Sequence, residues 1–145
     1  MNSDLMKKGV NRISTRALLK GAGYRQKDID KPFIGVVNAY SPSFPGHMTM
    51  DKITRAVEEG IWCAGGTPLV YSTIGVCDGY CAGHKGMRFS LPSREVVADS
   101  IEVIANAHCF DGLVLVTACD KITPGMLMAA ARLDIPAIVV NSGPM

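Results

Sequence analysis

Short apolar runs alternate with longer amphipathic segments along this chain. The apolar runs are rich in Val, Ile and Leu and have the length of buried strands; they are residues 33–37, 68–74, 112–117 and 137–140. The segments with helical periodicity are residues 16–21, 53–64, 93–108 and 126–133. Strands that alternate with helices pair in parallel through right-handed crossovers. The pattern predicts an α/β protein, a three-layer αβα arrangement with a mainly parallel sheet.

The two longest amphipathic segments each have an apolar face that we expect to pack on the sheet. The face of the first consists of Ile53, Ala56, Val57, Ile61 and Ala64. The face of the second consists of Val96, Val97, Ile101 and Ile104.

The turn after the third strand contains three chemically different side chains in a row: Cys119, Asp120 and Lys121. Open α/β sheets bind their ligands at the carboxyl ends of strands. A soft thiolate suits iron–sulfur clusters or zinc, whereas a hard carboxylate suits magnesium. Thr123 is the expected N-cap of the next helix, with Pro124 at its first position. The simpler alternative is a capped turn with a buried cysteine and a surface Asp–Lys pair.

A second candidate loop follows the second strand and reads Val-Cys-Asp-Gly-Tyr-Cys-Ala-Gly-His-Lys-Gly over residues 76–86. Its glycines allow close backbone approach to a ligand. Asp78 could bind a metal, although an aspartate before glycine is also a common turn residue. His84, in this polar and glycine-rich loop, is a candidate ligand or general base. His108 is expected to end its helix instead.

Several long motifs give this chain a family resemblance. Residues 119–128 read Cys-Asp-Lys-Ile-Thr-Pro-Gly-Met-Leu-Met, and residues 83–95 read Gly-His-Lys-Gly-Met-Arg-Phe-Ser-Leu-Pro-Ser-Arg-Glu. With residues 106–109 (Asn-Ala-His-Cys) and 142–145 (Ser-Gly-Pro-Met), they resemble the dihydroxy-acid dehydratase and phosphogluconate dehydratase family. The match is collinear from about Ser14 to the end of the chain. The sequence of these motifs is closest to that of the dihydroxy-acid dehydratase members.

The resemblance implies a site that contains two kinds of metal. Asp78 and Asp120 match magnesium-binding aspartates, and Cys119 matches a ligand of an iron–sulfur cluster. Lys121 matches a lysine that the family carbamylates, which turns an amine into a third carboxylate for magnesium and gives it a catalytic part. His84 is the other catalytic candidate. We expect a four-iron cluster in preference to a two-iron cluster.

The implied reaction is the dehydration of a 2,3-dihydroxy acid to a 2-keto acid in the biosynthesis of isoleucine and valine. Dehydration of 6-phosphogluconate or another sugar acid is the nearest alternative. A cysteine-nucleophile hydrolase would need a histidine within reach of Cys119. A non-catalytic metal-binding fragment is a further alternative. The small dihydroxy acid is the expected partner, and the whole protein is expected to be a homodimer.

The loop after the first strand departs from one form of the family pattern. Some members have Pro-Cys-Asn there, and that cysteine binds the cluster, whereas this chain has Pro-Gly-His with Gly46 in the cysteine's place. Cys77 is the first candidate for a substitute ligand, Cys81 the second and His47 the third. A cluster with fewer protein ligands, and Cys77 as an inert buried thiol, is the alternative.

Length and composition limit the remaining possibilities. With 145 residues, 48% hydrophobic and 19% charged, the chain can form a folded domain with a real core. A net charge of +2 from scattered basic residues gives no reason to expect nucleic acid. No apolar run reaches the length of a membrane span, and no hydrophobic segment resembles a secretory signal. Five cysteines without a disulfide-scaffold spacing favour a reducing compartment, so we expect a cytoplasmic protein.

The resemblance also implies that residues 1–145 are the amino-terminal part of a larger α/β domain. Family members are longer and have a barrel-like carboxyl-terminal domain that supplies further site residues, among them the serine that removes the substrate proton. This chain by itself is therefore expected to be inactive.

Overall fold

The computed structural model describes residues 1–143, and its centre is a four-stranded parallel sheet. The strands are β1 (Phe33–Asn38), β2 (Thr67–Ser72), β3 (Gly112–Thr117) and β4 (Ala137–Asn141). Their order across the sheet is β2-β1-β3-β4, and each neighbouring pair is parallel. The predicted strands and their parallel pairing are confirmed. Pro144 and Met145, the end of the last family motif, lie outside the described residues.

Seven α-helices are found in the described part of the chain, and four of them lie between consecutive strands. The helices are α1 (Asp4–Lys7), α2 (Ile13–Gly21), α3 (Gln26–Ile29), α4 (Met50–Cys63), α5 (Asp78–Cys81), α6 (Ser90–Ala107) and α7 (Ile122–Leu133). Short 3₁₀ helices cover Val10–Arg12 and Lys85–Phe89. Over residues 1–143, no helix is both long and apolar enough to cross a membrane.

The connections between the strands run in two directions. From β1 the chain passes through α4 to β2, which lies at one edge of the sheet. From β2 it passes through α6 to β3, on the other side of β1, and then through α7 to β4 at the opposite edge. Right-handed crossovers therefore place α4 on one face of the sheet and α6 and α7 on the other. The predicted three-layer α/β arrangement is confirmed.

This reversal creates a crevice between the carboxyl ends of β1 and β3. The chain leaves β1 toward β2 and leaves β3 toward β4, so the two exits diverge. Open α/β sheets bind their ligands at such a switch point. The loop after β1 contains Gly46 and His47, and the loop after β3 contains Cys119 to Lys121.

The core forms from the strands and from one side of each packed helix. Val97 and Ile101 are buried in it as predicted, and Ile104 packs against its edge. The prediction for Val96 was wrong, because this side chain is 49% exposed. The buried face of α6 is centred on Val97, Ala98 and Ile101, and at about 100° per residue Val96 lies on the other side of the helix. On α4, Ile53, Val57 and Ile61 pack on the core, but Ala56 and Ala64 are exposed and were wrongly placed on that face.

The start of α7 differs from its prediction. The helix begins at Ile122 with Lys121 in the cap position, so Thr123 is not the N-cap. Cys119 adopts a left-handed backbone conformation with φ 65°. The Thr123 N–H donates to the Cys119 carbonyl at 3.3 Å, so Thr123 already lies within the first helical turn. Pro124 still lies among the first helical residues, whose N–H groups have no partner within the helix.

Candidate functional site

Lys121 joins two of the loops at the carboxyl edge of the sheet. Its Nζ donates to Asp78 Oδ2 at 3.1 Å and to Asp120 Oδ2 at 2.6 Å. Asp78 lies after β2 and Asp120 after β3, so the contact links loops from strands on opposite sides of β1. Lys121 and Asp78 are about three-quarters buried, with exposures of 22% and 24%, whereas Asp120 is 69% exposed. The two predicted aspartates and the predicted lysine thus lie together.

Asp78 is held in its ionised form by its neighbours. The Ser90 hydroxyl donates to Asp78 Oδ1, while Lys121 donates to the other oxygen. The hydrogen bond from Ser90, followed by the contacts with Lys121, lowers the pKa of Asp78 against the opposing effect of burial. The carboxylate is therefore charged and fixed in orientation, as a metal ligand needs to be.

The donors around Lys121 suit a hard divalent cation. Two carboxylates converge on one point, and the Lys121 ammonium already places a positive charge there. Hydrogen bonds from Lys121 to Asp120 and Asp78 raise the pKa of Lys121. Carboxylate oxygens are the ligands that Mg²⁺ prefers, so the residues present fit magnesium.

Cys119 and His47 form a second contact across the switch point. The His47 Nε2 atom lies 3.0 Å from Cys119 Sγ, and its Nδ1 lies 2.5 Å from the Ala39 carbonyl oxygen. A carbonyl can only accept, so Nδ1 carries the ring proton and donates it. The unprotonated Nε2 then faces the thiol, which donates to it.

His47 is enclosed on every side that the structure describes. Its side chain is 0% exposed, and the ring of Phe44 packs against it with centroids 4.4 Å apart. Gly75 faces the imidazole, and a Cβ at that position would lie 3.1 Å from its Cε1 and 3.1 Å from Ile122 Cδ1. The imidazole therefore has one orientation available, with Nε2 toward Cys119.

The electrostatics of Cys119 disfavour a nucleophilic thiolate. Burial, followed by the nearby Cys77, Asp120 and Asp78, raises the pKa of the Cys119 thiol. The histidine that a cysteine hydrolase needs is present in His47. However, reactive cysteines have a lowered pKa, which cationic neighbours or a helix N-terminus provide. The geometry thus permits the hydrolase alternative, while the charge environment opposes it.

The donor types at Cys119 fit iron, although the ligand set is only partial. Sulfur and imidazole nitrogen are the ligands that iron in iron–sulfur centres uses. Among residues 1–143, no group of three or more His, Cys, Asp or Glu side chains could hold a metal ion. Within the described residues, Cys119 and His47 therefore supply two donors of this kind.

The other predicted residues lie around this centre without joining it through hydrogen bonds. Cys77 is half-buried and immediately precedes α5, and Cys81, also half-buried, ends that helix. His84 is exposed; its Nε2 contacts the Tyr80 carbonyl at 2.8 Å and its Nδ1 accepts from the Gly86 N–H at 3.0 Å. Both His84 ring nitrogens are thus engaged within its own loop. The roles predicted for Cys77 and His84 stay predictions.

Residues outside the predicted set also shape the site. Ser90 contacts Asp78, and the hydroxyl of Tyr80 donates to the Ser43 carbonyl, which ties the loops after β1 and β2 together. Ser90 is part of the family motif at residues 83–95, so the motif itself carried the signal. Sequence periodicity contains no signal for the Tyr80 contact.

Comparison with known proteins gives a consistent result. Residues 31–145 match the family described as dihydroxy-acid/6-phosphogluconate dehydratase, N-terminal. All 145 residues align with proteins named dihydroxy-acid dehydratase. Identity is 61% for the protein of Archaeoglobus fulgidus, 53% for that of Clostridium pasteurianum and 57% for that of Halothermothrix orenii. The alignments cover 26%, 51% and 26% of those proteins, so the chain spans about a quarter to a half of their length.

Proposed function

This chain belongs to the dihydroxy-acid/6-phosphogluconate dehydratase family, and we propose on that basis that its site serves the dehydration of a 2,3-dihydroxy acid to a 2-keto acid. The three relatives from Archaeoglobus fulgidus, Clostridium pasteurianum and Halothermothrix orenii are all named dihydroxy-acid dehydratase, which favours this substrate class over sugar acids. The product is then a precursor of branched-chain amino acids.

The observation that carries the proposal is the position of a hard and a soft donor group on one loop. Asp120 and Lys121 face Asp78, while the adjacent Cys119 faces His47. A dehydration needs one group to bind the acid and another to assist the departing hydroxyl. The loop after β3 supports both tasks within three consecutive residues.

Two metal groups would be held by these residues. Cys119 would hold an iron–sulfur cluster, and Asp78, Asp120 and carbamylated Lys121 would hold Mg²⁺. When bound, the cluster supplies Lewis acidity to the leaving hydroxyl, and Mg²⁺ offsets the negative charge that develops on the substrate as its C2 proton leaves.

Carbamylation of Lys121 is coupled to magnesium binding by simple electrostatics. The Lys121 ammonium first loses a proton, and the neutral amine then adds to CO₂ and releases a second proton, so a cation becomes an anion. Asp78 and Asp120 then lose the ammonium that they share. Three carboxylates at one point repel one another, and a divalent cation relieves that repulsion. We therefore expect the carbamate and the metal to bind together.

The remaining residues keep these groups in place. Ser90 fixes the orientation of Asp78, and the Lys121 contact fixes the loop after β3 relative to the loop after β2. The left-handed turn at Cys119 turns its side chain toward His47 while Asp120 and Lys121 face the other group. Such prior positioning reduces the reorganisation that catalysis requires.

A substrate comparison tests the proposal. The protein, produced over the whole length of its reading frame and supplied with iron, sulfide and Mg²⁺ without oxygen, should convert 2,3-dihydroxyisovalerate to its 2-keto acid. It should convert 6-phosphogluconate far more slowly. A faster reaction with 6-phosphogluconate would favour the sugar-acid alternative, and no reaction with either acid would contradict the proposal.

The 145-residue chain alone should be inactive. Its described residues supply two donors at Cys119 and His47, and an iron–sulfur cluster needs more. Turnover of 2,3-dihydroxyisovalerate by the isolated chain would contradict this expectation. The cytoplasmic location and the homodimer stay predictions.

A further inference from the structure

Resting on the proposed function, we infer that His47 binds iron through Nε2, as a nitrogen ligand beside Cys119 that takes the place of the cysteine missing at Gly46. The family match does not assign this role to His47. The inference depends on four features of the fold: the burial of His47, its tautomer, its direction and its position in the chain.

Burial distinguishes His47 from the other histidines. His47 is 0% exposed, whereas His84 is exposed and His108 is half-buried at the end of α6. A buried imidazole needs a partner for each ring nitrogen. Ala39 supplies one partner through its carbonyl, and Cys119 supplies the other.

The tautomer of His47 is the one that a metal ligand needs. Metal-binding histidines commonly donate one ring N–H to a backbone carbonyl or carboxylate, which leaves the other nitrogen free to bind. Nδ1 of His47 donates to the Ala39 carbonyl at 2.5 Å, so Nε2 presents its lone pair to Cys119.

If Cys119 binds the cluster, the sulfur that faces His47 Nε2 changes its protonation. The thiol now donates its proton to Nε2 across 3.0 Å. A cysteine that binds iron does so as a thiolate and has no proton to donate. The Nε2 lone pair would then face an anionic sulfur, and an iron ion bound by both atoms removes this repulsion.

The distance between the two atoms is close to what a shared metal requires. A tetrahedral ion bound to one cysteine and one histidine separates sulfur from nitrogen by about 3.5 Å. The observed 3.0 Å is that of a direct hydrogen bond, so the sulfur would have to move about half an ångström farther from Nε2 and also sideways, off the axis of the Nε2 lone pair. The Cys119 side chain, on a loop and half-buried, can make this movement while His47 stays fixed by Phe44 and Gly75.

The position of His47 allows it to replace the cysteine that is absent at position 46. His47 directly follows Gly46, and the loop after β1 directs its imidazole to the cysteine on the loop after β3. Histidine replaces cysteine as an iron ligand in Rieske centres and raises their reduction potential. We expect the same direction of change here.

Pulsed electron paramagnetic resonance of the reduced cluster tests the inference. The protein should be produced over its whole reading frame, reconstituted without oxygen and labelled with ¹⁵N-histidine. We expect a strong histidine nitrogen coupling that changes on ¹⁵N labelling and is lost in His47→Ala. The matched control, His84→Ala, should keep the coupling. His47→Cys should lose the coupling, restore the iron content that His47→Ala lacks, and have a lower reduction potential.

The possible failures are distinguishable. If the unsubstituted protein has a cluster but shows no histidine nitrogen coupling, the inference is overturned, even if every variant misfolds. If that protein still converts the dihydroxy acid, the proposed function stands. An iron content and spectrum unchanged in both His47→Ala and His47→Gln would overturn it as well. Absence of any cluster in the unsubstituted protein overturns both.

Discussion

Lys121 donates a hydrogen bond to Asp78 at 3.1 Å and so joins the loops that follow β3 and β2. These residues are 43 positions apart in sequence, and β1 lies between their strands in the sheet. The contact depends on the parallel pairing of the strands, because only parallel strands bring all their carboxyl ends to one edge of the sheet. It places the proposed magnesium ligands next to the proposed cluster ligand.

Replacing Asp78 with asparagine should weaken magnesium binding far more than it weakens the fold. The amide keeps the shape and can still accept from Ser90, but it has no charge for a metal. We expect at least about a tenfold loss in apparent Mg²⁺ affinity and a change of about 1 kcal/mol or less in the free energy of unfolding. Magnesium titration of activity and chemical denaturation measure the two effects. Wholesale unfolding of Asp78→Asn would identify a structural role instead.

The same aspartate predicts a pH effect on stability. Because the folded pKa of Asp78 is lowered, chiefly by Ser90 and then by Lys121, its contribution is complete above the unfolded value of about 3.9. That contribution is lost as the pH falls through the lower folded pKa. The difference in stability between the unsubstituted protein and Asp78→Asn should therefore shrink in acid. A difference that stays constant from pH 6 down to about 2 would contradict the assignment.

Replacing Lys121 with methionine should abolish magnesium activation by a different route. The variant cannot form a carbamate, and it leaves Asp78 and Asp120 without their shared cation. We expect activity that no longer responds to Mg²⁺ or to dissolved CO₂, whereas the unsubstituted protein should respond to both. Lys20→Met, at an exposed position on α2, is the matched control and should keep both responses. CO₂-dependent activity in Lys121→Met would refute the carbamate.

Replacing Cys119 with serine should prevent cluster assembly, because an alcohol oxygen is a poor ligand for iron in a sulfur cluster. The loss should appear as missing visible absorption and a low iron content after reconstitution. Cys63→Ser, at an exposed position at the end of α4, should reconstitute normally. Full iron content in Cys119→Ser would remove Cys119 from the ligand set.

Two helical glycines should respond to alanine with opposite sign. A Cβ at Gly125 would lie 2.7 Å from the Arg94 carbonyl oxygen and 3.0 Å from Val97 Cβ, so α6 and α7 would have to separate. We expect Gly125→Ala to lower the free energy of unfolding by about 1–3 kcal/mol. Gly60 on α4 has open space around its Cβ position, and Gly60→Ala should raise that free energy by about 0.5–1 kcal/mol. Equal effects in denaturation experiments would contradict the described packing of α6 on α7.

The strands were predictable from their apolar runs, which burial on both faces explains for β1 and β3, whereas β4 is apolar although most of its residues are exposed. The reversal of direction in the strand order was not predictable from sequence, since a hydrophobic pattern does not show which strands are neighbours. The exposure of Val96 follows from the helical step of about 100° per residue, so a stricter use of the periodicity would have predicted it. The left-handed turn at Cys119 escaped prediction because a hydrophobic pattern does not specify backbone conformation in a loop.

The candidate site was predictable to a similar extent. The motifs identified Asp78, Asp120, Lys121 and Cys119, and the structure brings the first three into contact. His47 was only the third candidate for the missing ligand, because its link to Cys119 spans 72 positions and depends on the fold. Ser90 lies in a family motif, but its contact with Asp78, 12 positions away, was not predicted because it too depends on the fold.

Dependence of product formation on both metal groups tests the central claim most directly. The protein produced over its whole reading frame should be measured on 2,3-dihydroxyisovalerate after Mg²⁺ is chelated, after it is returned, and after the cluster is destroyed by oxygen. We predict that the 2-keto acid forms only when both groups are present, and that Mg²⁺ restores activity only while the cluster is intact. Unchanged formation of the 2-keto acid after removal of either group would contradict the proposed site.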